Sequence, residues 1–251
     1  MSENHKKIWI TGASSGIGKA VAKKFAEMGW KVAVSARREE LLKKMTTENP
    51  NIFSFPCDVT DESQINKTFQ EIINKFGDLD ICLFSSGTYD PKHEQFIDVE
   101  KIMNVINVNL FGVIKCVKSV ENYFKKRKRG QISIVSSIAG YRGLPNSSGY
   151  GPSKAALTNF AESIYFDFKK YNINISVISP GFIKTPLTDK NEFSMPFLKT
   201  PEFAATEIYK GLIRNNTFEI HFPKSLTLIL KFLRILPYKI YLFLVDKLVK
   251  R

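Results

Sequence analysis

K-I-W-I-T-G-A-S-S-G-I-G, residues 7–18, is the stretch from which the fold can be read. Lys7–Thr11 is a short, mostly apolar run of strand character. Thr11 to Gly18 is a glycine-rich turn, and Lys19, Ala22, Phe25 and Ala26 continue at helical spacing. Strand, glycine turn and helix in immediate succession form the setting in which such a turn holds a diphosphate. Gly12 takes the tight turn, Gly16 lets a diphosphate approach the backbone, and Gly18 lets helix and strand pack closely. Ser14, Ser15 and Ile17 lie between them, where the helix start presents its free N–H groups.

Outward from this turn, strand and helix alternate along the chain. Strand-like runs recur at 7–11, 31–35, 51–56, 79–85, 131–136, 173–178 and 218–222. Helical patterns fill 17–29, 39–46, 62–76, 95–126, 152–170 and 201–215. Several strands are nearly continuous apolar runs, as burial on both faces requires. The pattern predicts an α/β fold of the doubly wound, Rossmann type: a seven-stranded parallel sheet between two helix layers. Ligands then belong at the strand ends. Residues 1–222 are expected to form one dinucleotide-binding and catalytic domain, and residues 223–251 a basic, amphipathic helical extension.

With 251 residues, 43% of them hydrophobic, the chain can bury a substantial core. Cys57, Cys82 and Cys116 are far apart in apolar contexts, which points to a reducing compartment and to no metal site. The amino-terminal M-S-E-N-H-K-K has no signal-peptide core, so a cytoplasmic location is expected. The formal net charge of +13 would suit nucleic acid, but no recognition helix, zinc finger or aromatic RNA-binding strand accompanies it. The block Lys125–Arg129 reads as the solvated end of a helix, where cations suit the dipole.

The end of the second strand bears on the cofactor. An acid about twenty residues beyond the glycines would favour the ribose hydroxyls of NAD, whereas Ser35-Ala36-Arg37-Arg38 offers two guanidinium forks suited to a 2′-phosphate. NADP (NADPH) is therefore favoured over NAD, the other reading being two ordinary surface charges. Asp58, followed by Val59, either meets an adenine amino group or caps a turn.

Tyr150 and Lys154 stand four residues apart in Y-G-P-S-K, and Ser137 precedes the tyrosine by thirteen. One helical turn brings phenol and ammonium to a common face. A tyrosine near pKa ~10 is a poor proton-transfer group at neutral pH, and a neighbouring cation moves it toward useful acidity. The alternative for these residues alone is a buried hydroxyl with a solvent-facing lysine.

These motifs together resemble the classical short-chain dehydrogenase/reductase family over nearly the whole chain to about Asn215. The family's T-G-x-x-x-G-x-G matches Thr11–Gly18, its aspartate after the third strand matches Asp58, and its asparagine in the long fourth helix matches Asn109. Its serine, tyrosine and lysine match Ser137, Tyr150 and Lys154, and its P-G-x-x-x-T matches Pro180, Gly181 and Thr185. The family's N-N-A-G is replaced by Phe84-Ser85-Ser86-Gly87, which keeps Gly87 for close cofactor approach but loses the asparagine amides. The resemblance implies hydride transfer with Tyr150 as acid or base, Lys154 on the nicotinamide ribose and lowering the tyrosine pKa, and Ser137 on the substrate oxygen. It implies Asn109 positioning a water that links Lys154 to solvent, and Ile183 and Thr185 at the carboxamide. Asn109 also reads as a buried amide that fastens its helix.

The activity so implied is NADPH-dependent reduction of a lipophilic aldehyde, ketone, or steroid- or lipid-like carbonyl. Oxidation of an alcohol or hydroxysteroid is the alternative, and a non-catalytic nucleotide-binding or membrane-associated scaffold is a third. Residues 185–200, the family's mobile lid, carry Leu187, Phe193, Met195, Phe197 and Leu198, an apolar wall. Tyr141, Leu144 and Pro145 lie in the loop between Ser137 and Tyr150. Val113, Val117, Val120, Phe160, Ile164 and Phe168 are too many to face one sheet, which implies a homodimer or homotetramer through the fourth and fifth helices. Residues 224–251 carry seven basic residues against the single acid Asp246. Two helices, 226–236 and 238–249, show broad apolar faces, the first with a narrow polar stripe of Thr227, Lys231 and Arg234. Such helices lie on a membrane surface or cover apolar protein.

Overall fold

The computed structural model describes residues 6–89, 97–214 and 217–248. Seven parallel strands, β1 (Lys7–Thr11), β2 (Lys31–Ser35), β3 (Ile52–Ser54), β4 (Ile81–Phe84), β5 (Gly130–Val135), β6 (Ile173–Pro180) and β7 (Glu219–Phe222), form one sheet in the order β3-β2-β1-β4-β5-β6-β7. The order in which strands are added to the sheet reverses between β1 and β4, the switch point at which a crevice opens beyond the strand ends.

Alternation along the strands assigns side chains to two helix layers. Ile8 and Ile10 of β1 and Val32 and Val34 of β2 enter one core with residues of α1 (Gly16–Glu27), α2 (Glu39–Glu48) and α7 (Pro201–Ile213). Trp9 and Ala33 enter the other with α3 (Glu62–Phe76), α5 (Gly112–Arg127) and α6 (Tyr150–Lys169). Trp9, the largest fully buried side chain, meets Phe84 edge-on at 5.6 Å and donates its indole N–H to Ser35 Oγ at 2.9 Å, so its polar atom is satisfied in the core.

β1, β2 and α3 have the bounds that the sequence implies; the other elements shift by a few residues at their ends. The predicted helix 95–126 is the main revision. Gln95 and Phe96 lie outside the described residues, and α4 (Val99–Ile106) starts from Asp98, whose carboxylate accepts the Lys101 N–H at 3.1 Å. A five-residue π turn, Asn107–Phe111, then separates α4 from α5. Hydrophobic periodicity does not reveal such a turn, because a single wide turn changes the register by less than a short window of residues can resolve. Val99–Arg127 is long and apolar enough to cross a bilayer by length and composition, but Val113, Cys116, Val117, Val120 and Phe124 are buried in the sheet core.

Two further expectations are corrected. Val113, Val117, Val120 and Phe168 are buried against the sheet, with Phe160 and Ile164 packed on the same core, so all six serve the monomer. The hydrophobic groups left outside on this layer are Phe111 and Phe166. The basic block Lys125–Arg129 is not simply solvated. Lys125 pairs with Glu121 at 2.6 Å, and Arg127 donates to the Tyr123 hydroxyl at 2.9 Å and to the Leu79 carbonyl beside Asp78.

The chain ends in two helices of eleven residues each, α8 (Lys224–Arg234) and α9 (Tyr238–Leu248). Two residues of the α8 polar stripe, Thr227 and Lys231, face the protein, while Arg234 is exposed. Thr227 is fully buried against His221 Nδ1 at 2.7 Å, and Lys231 pairs with Glu219, which also accepts the Tyr141 hydroxyl at 2.6 Å. Arg142 closes the arrangement. Its Nη1 donates to the carbonyls of Leu233, Arg234 and Leu236 at 3.0, 3.2 and 2.7 Å, and its guanidinium lies 4.5 and 4.0 Å from the rings of Tyr238 and Tyr241. Tyr141 therefore points to β7 and α8 rather than into the cleft described below.

A Cβ on Gly18 would stand 2.5 Å from the Gly12 carbonyl oxygen, so α1 can leave the turn only with glycine there. Gly18→Ala is expected to lower stability by about 1–3 kcal/mol, read from the midpoint of urea unfolding.

Candidate active site

The strand ends on either side of the switch point border a cleft of about 450 Å³. Every catalytic and cofactor-binding residue selected from the sequence lines it except Asn109, which is wholly buried behind it; of the residues expected on the substrate side Leu187 lines it, whereas Tyr141, Leu144, Pro145, Phe193, Met195, Phe197 and Leu198 do not.

On the dinucleotide side, Gly12 and Gly16 hold φ of +67° and +55°, a region that side chains with a Cβ enter only under strain. A Cβ on Gly12 would lie 2.7 Å from the Ser85 carbonyl oxygen, and one on Gly16 would lie 3.1 Å from the Thr185 methyl. The turn is thus bare backbone facing the cleft. Ser15 is the N-cap of α1 and makes no side-chain cap, so the first-turn N–H groups are not covered by a capping oxygen, and no acid occupies that turn. Ser85 N–H donates to Thr11 Oγ1 at 3.2 Å, which ties β4 to β1 without the family's asparagines.

The two arginines separate. Arg38 Nη2 donates to Ser14 Oγ and Ser15 Oγ, each at 2.8 Å, which fixes its guanidinium at the rim of the glycine turn. Arg37 is largely exposed, with its guanidinium 4.0 Å from the Asp58 carboxylate. Asp58 Oδ1 accepts from both the N–H and the hydroxyl of Thr60 at 2.9 Å, so it does cap a turn while bordering the cleft beside Val59. These features fit a dinucleotide: glycines at the closest approaches, uncapped N–H groups and a guanidinium fixed at the rim.

On the chemical side, Ser136 and Ser137 follow β5. Ser136 Oγ donates to the Lys154 carbonyl at 2.8 Å and stands 2.9 Å from Thr158 Oγ1, which fastens the strand end to α6. A Cβ on Gly140 would stand 2.7 Å from the Lys154 carbonyl carbon, so this loop lies flat on the helix. Ser137 Oγ accepts from the Ala139 N–H at 3.1 Å, and its own O–H is left to serve the cleft. Lys154 is 3% exposed, donates to the Val135 carbonyl at 2.9 Å, and has Nζ 5.6 Å from the Tyr150 ring centroid. Burial lowers its pKa to about 8. The Tyr150 ring packs on Tyr89 at 4.8 Å between centroids.

Asn109 uses its side chain structurally. Its Oδ1 accepts the Thr88 N–H at 2.7 Å, and its Nδ2 donates to the Thr88 carbonyl at 3.0 Å and to Ser153 Oγ at 3.1 Å. The amide pins the segment after Gly87 to the first turn of α6, where Tyr150 sits. A Cβ on Gly87 would meet Asn109 Oδ1 at 3.5 Å and Lys154 Nζ at 3.6 Å, ordinary contact distances, so this packing does not itself require glycine there.

Beyond β6, Pro180, Gly181, Ile183 and Thr185 border the cleft with Leu187 and Lys190. Thr188 Oγ1 accepts the Thr185 N–H at 2.9 Å and donates to the Ile183 carbonyl at 2.6 Å, which sets this turn. Lys199 N–H donates to the Phe182 carbonyl at 3.0 Å, and Lys184 N–H donates to the Lys199 carbonyl at 2.8 Å, so the segment 185–198 is a loop with paired ends. Sequence reading missed Ser136, Thr88, Ser153 and Thr188 as fasteners. Their signal is weak: each is an ordinary polar residue whose partner lies in another element or one turn away.

Among known proteins, the chain is 30% identical over 238 residues to an uncharacterized oxidoreductase of Myxococcus xanthus, which covers 93% of this chain and 94% of that one. It is 36% identical over 179 residues to carbonyl reductase family member 4 of Xenopus laevis, covering 71% and 76% of the two chains. Among solved structures, ElxO with NADP bound superposes with a TM-score of 0.76 at 30% identity, over 86% of this chain and 97% of that one. Residues 6–194 match the model of the short chain dehydrogenase family. With this match, and with a Rossmann-type sheet that brings Ser137, Tyr150 and Lys154 to one cleft, the chain belongs to the classical short-chain dehydrogenase/reductase family.

Proposed function

We propose that the protein is an NADPH-dependent carbonyl reductase for lipophilic aldehydes or ketones, steroid- and lipid-like ones included. The observation that carries this reading is the buried ammonium of Lys154 beside the Tyr150 ring in the cleft that Ser137 also borders. When bound, the dinucleotide supplies the hydride. Tyr150 gives its phenolic proton to the carbonyl oxygen, while the Ser137 hydroxyl donates a hydrogen bond to that oxygen as negative charge builds on it. Lys154 stabilises the phenolate left behind and holds the nicotinamide ribose. Asn109 keeps Tyr150 and Lys154 aimed by pinning the start of α6.

Gly12, Ser14, Ser15, Gly16, Ile17 and Gly18 would hold the diphosphate, with Asp58 and Val59 at the adenine and Gly87 at the backbone approach. Pro180, Gly181, Ile183 and Thr185 would hold the carboxamide end. Arg38, aided by Arg37, would bind the 2′-phosphate; ElxO, similar over most of the chain, carries NADP. Leu187 and Pro186 supply apolar lining on the substrate side. A homodimer would use the outer face of α5 and α6, where Phe111 and Phe166 are exposed. A reducing, cytoplasmic compartment fits the three cysteines, which are buried and free; burial raises the thiol of Cys57 to about 11 and those of Cys82 and Cys116 well above the ordinary thiol range.

A panel of medium-chain aldehydes, ketones and steroids is expected to include compounds that oxidise NADPH well above the substrate-free rate; no acceleration by any of them overturns the proposal. Tyr150→Phe is expected to cut kcat/KM by about 10²–10⁴-fold while the Kd for NADPH, from fluorescence titration, stays near the parent value. Arg38→Ala should weaken NADPH about 10- to 100-fold with little change for NADH, and an equal loss for both cofactors removes the 2′-phosphate role. Lys154→Met tests the cost of the buried charge. The folded pKa of about 8 lies below the ordinary 10.5, so the charged lysine opposes folding below pH 8, and that penalty fades as pH rises toward 10.5. The variant is therefore expected to be more stable than the parent by on the order of 2 kcal/mol at pH 7, the gap closing near pH 10, in parallel denaturant melts.

A further inference from the structure

An amphipathic helix on a water-soluble core ordinarily turns its apolar face inward. α8 and α9 do the reverse over most of their surface. Thr227 and Lys231 are engaged with His221 and Glu219, and only Leu226, Leu233, Tyr241 and Val245 among their large hydrophobic groups are buried. Leu228, Ile229, Phe232, Ile235, Leu242 and Phe243 are exposed, Ile235 by 77% and Phe232 by 61%. Specific bonds set this orientation: the Arg142 contacts with three carbonyls and the Tyr241 hydroxyl donating to the Gly143 carbonyl at 2.6 Å. A continuous apolar surface held outward in this way has a second apolar phase to meet.

We propose that α8 and α9 dock flat on a membrane surface containing anionic lipid, with their outward apolar residues in the acyl boundary. Each helix has eleven residues and is about 16 Å long, far short of a bilayer core, so the pair lies along the interface. Charge selects this occupant over a second copy of the chain. Among the described residues of α8 and α9, Lys224, Arg234, Lys239 and Lys247 are exposed against the single acid Asp246, so a two-fold pairing of these helices would set cations against cations, whereas anionic headgroups neutralise them. Tyr238, 75% exposed beside the Arg142 guanidinium, has the amphipathic ring suited to the headgroup level.

The inner face of α8 packs on segments that adjoin the cleft. Leu226 packs on Ile138 and Tyr141, in the loop after Ser137, and on Phe182, and a Cβ on Gly181 would be 3.0 Å from Leu226. Docking would therefore bring the substrate side of the cleft near the lipid phase, where apolar carbonyl compounds partition. Membrane binding itself does not rest on the reductase reading, because it is measured without turnover.

The test is co-sedimentation of the full chain with vesicles of phosphatidylcholine alone or mixed with phosphatidylglycerol. The parent is compared with a Phe232→Glu, Ile235→Glu, Phe243→Glu triple variant whose changes lie at exposed positions. Expected are pelleting with the anionic vesicles, loss of it at high salt, and at least about tenfold weaker binding by the variant. NADPH affinity and melting temperature should match in the two proteins. No pelleting of the parent, equal pelleting on neutral vesicles, or unchanged pelleting of the variant overturns the proposal. A smaller mass for the variant by light scattering, without vesicle binding by the parent, assigns the face to a second copy and overturns it as well.

Discussion

The placement of one cation organises this structure. Lys154 lies 3% exposed at the base of the cleft, and burial costs its charged form enough to bring its pKa to about 8. A lysine in such a place persists because its surroundings fix it: the Val135 carbonyl takes its Nζ, and Ser136 holds its backbone carbonyl. β5 and α6 must therefore meet at one register, and Gly140 permits the contact by having no side chain. The same meeting brings Ser137, at the strand end, toward Tyr150, at the helix start. Desolvation collects where the chemistry is proposed, as sites that tune proton transfer require.

The sheet and its two helix layers were legible because buried parallel strands leave a plain mark: apolar runs broken by glycine turns and amphipathic helices. The glycine turn, Ser137, Tyr150 and Lys154 were legible because their chemistry demands those residue types at nearly fixed spacing. Asn109 was found with two tasks open, positioning a water or fastening its helix as a buried amide, and the fold shows its amide doing the second. A sequence does not show that an amide will be closed off by Thr88 and Ser153, or that a π turn will rotate it inward. Arg37 and Arg38 looked alike as neighbours in the chain, and only three-dimensional placement distinguishes the one held by two serine hydroxyls from the one left in solvent.

One premise failed. The apolar residues of α5 and α6 were counted against one sheet face as though it were narrow, yet a seven-stranded sheet accommodates both helices, and the valines of α5 and Phe168 of α6 fill it. The polar stripe of α8 was legible, but helix patterning alone carries no direction. Glu219 and His221 on the edge strand β7 supply that direction, since they give Thr227 and Lys231 partners on the protein side.

Arg142 gives this arrangement a consequence for cooperativity. One guanidinium collects carbonyls at the end of α8 and stacks on tyrosines of α9 while its own backbone belongs to the loop that connects Ser137 to Tyr150. If the hairpin frays, the loop loses its anchor; if the loop opens, three carbonyls lose their donor. Loop and hairpin form one unit in hydrogen exchange, with a shared opening free energy in place of two independent ones.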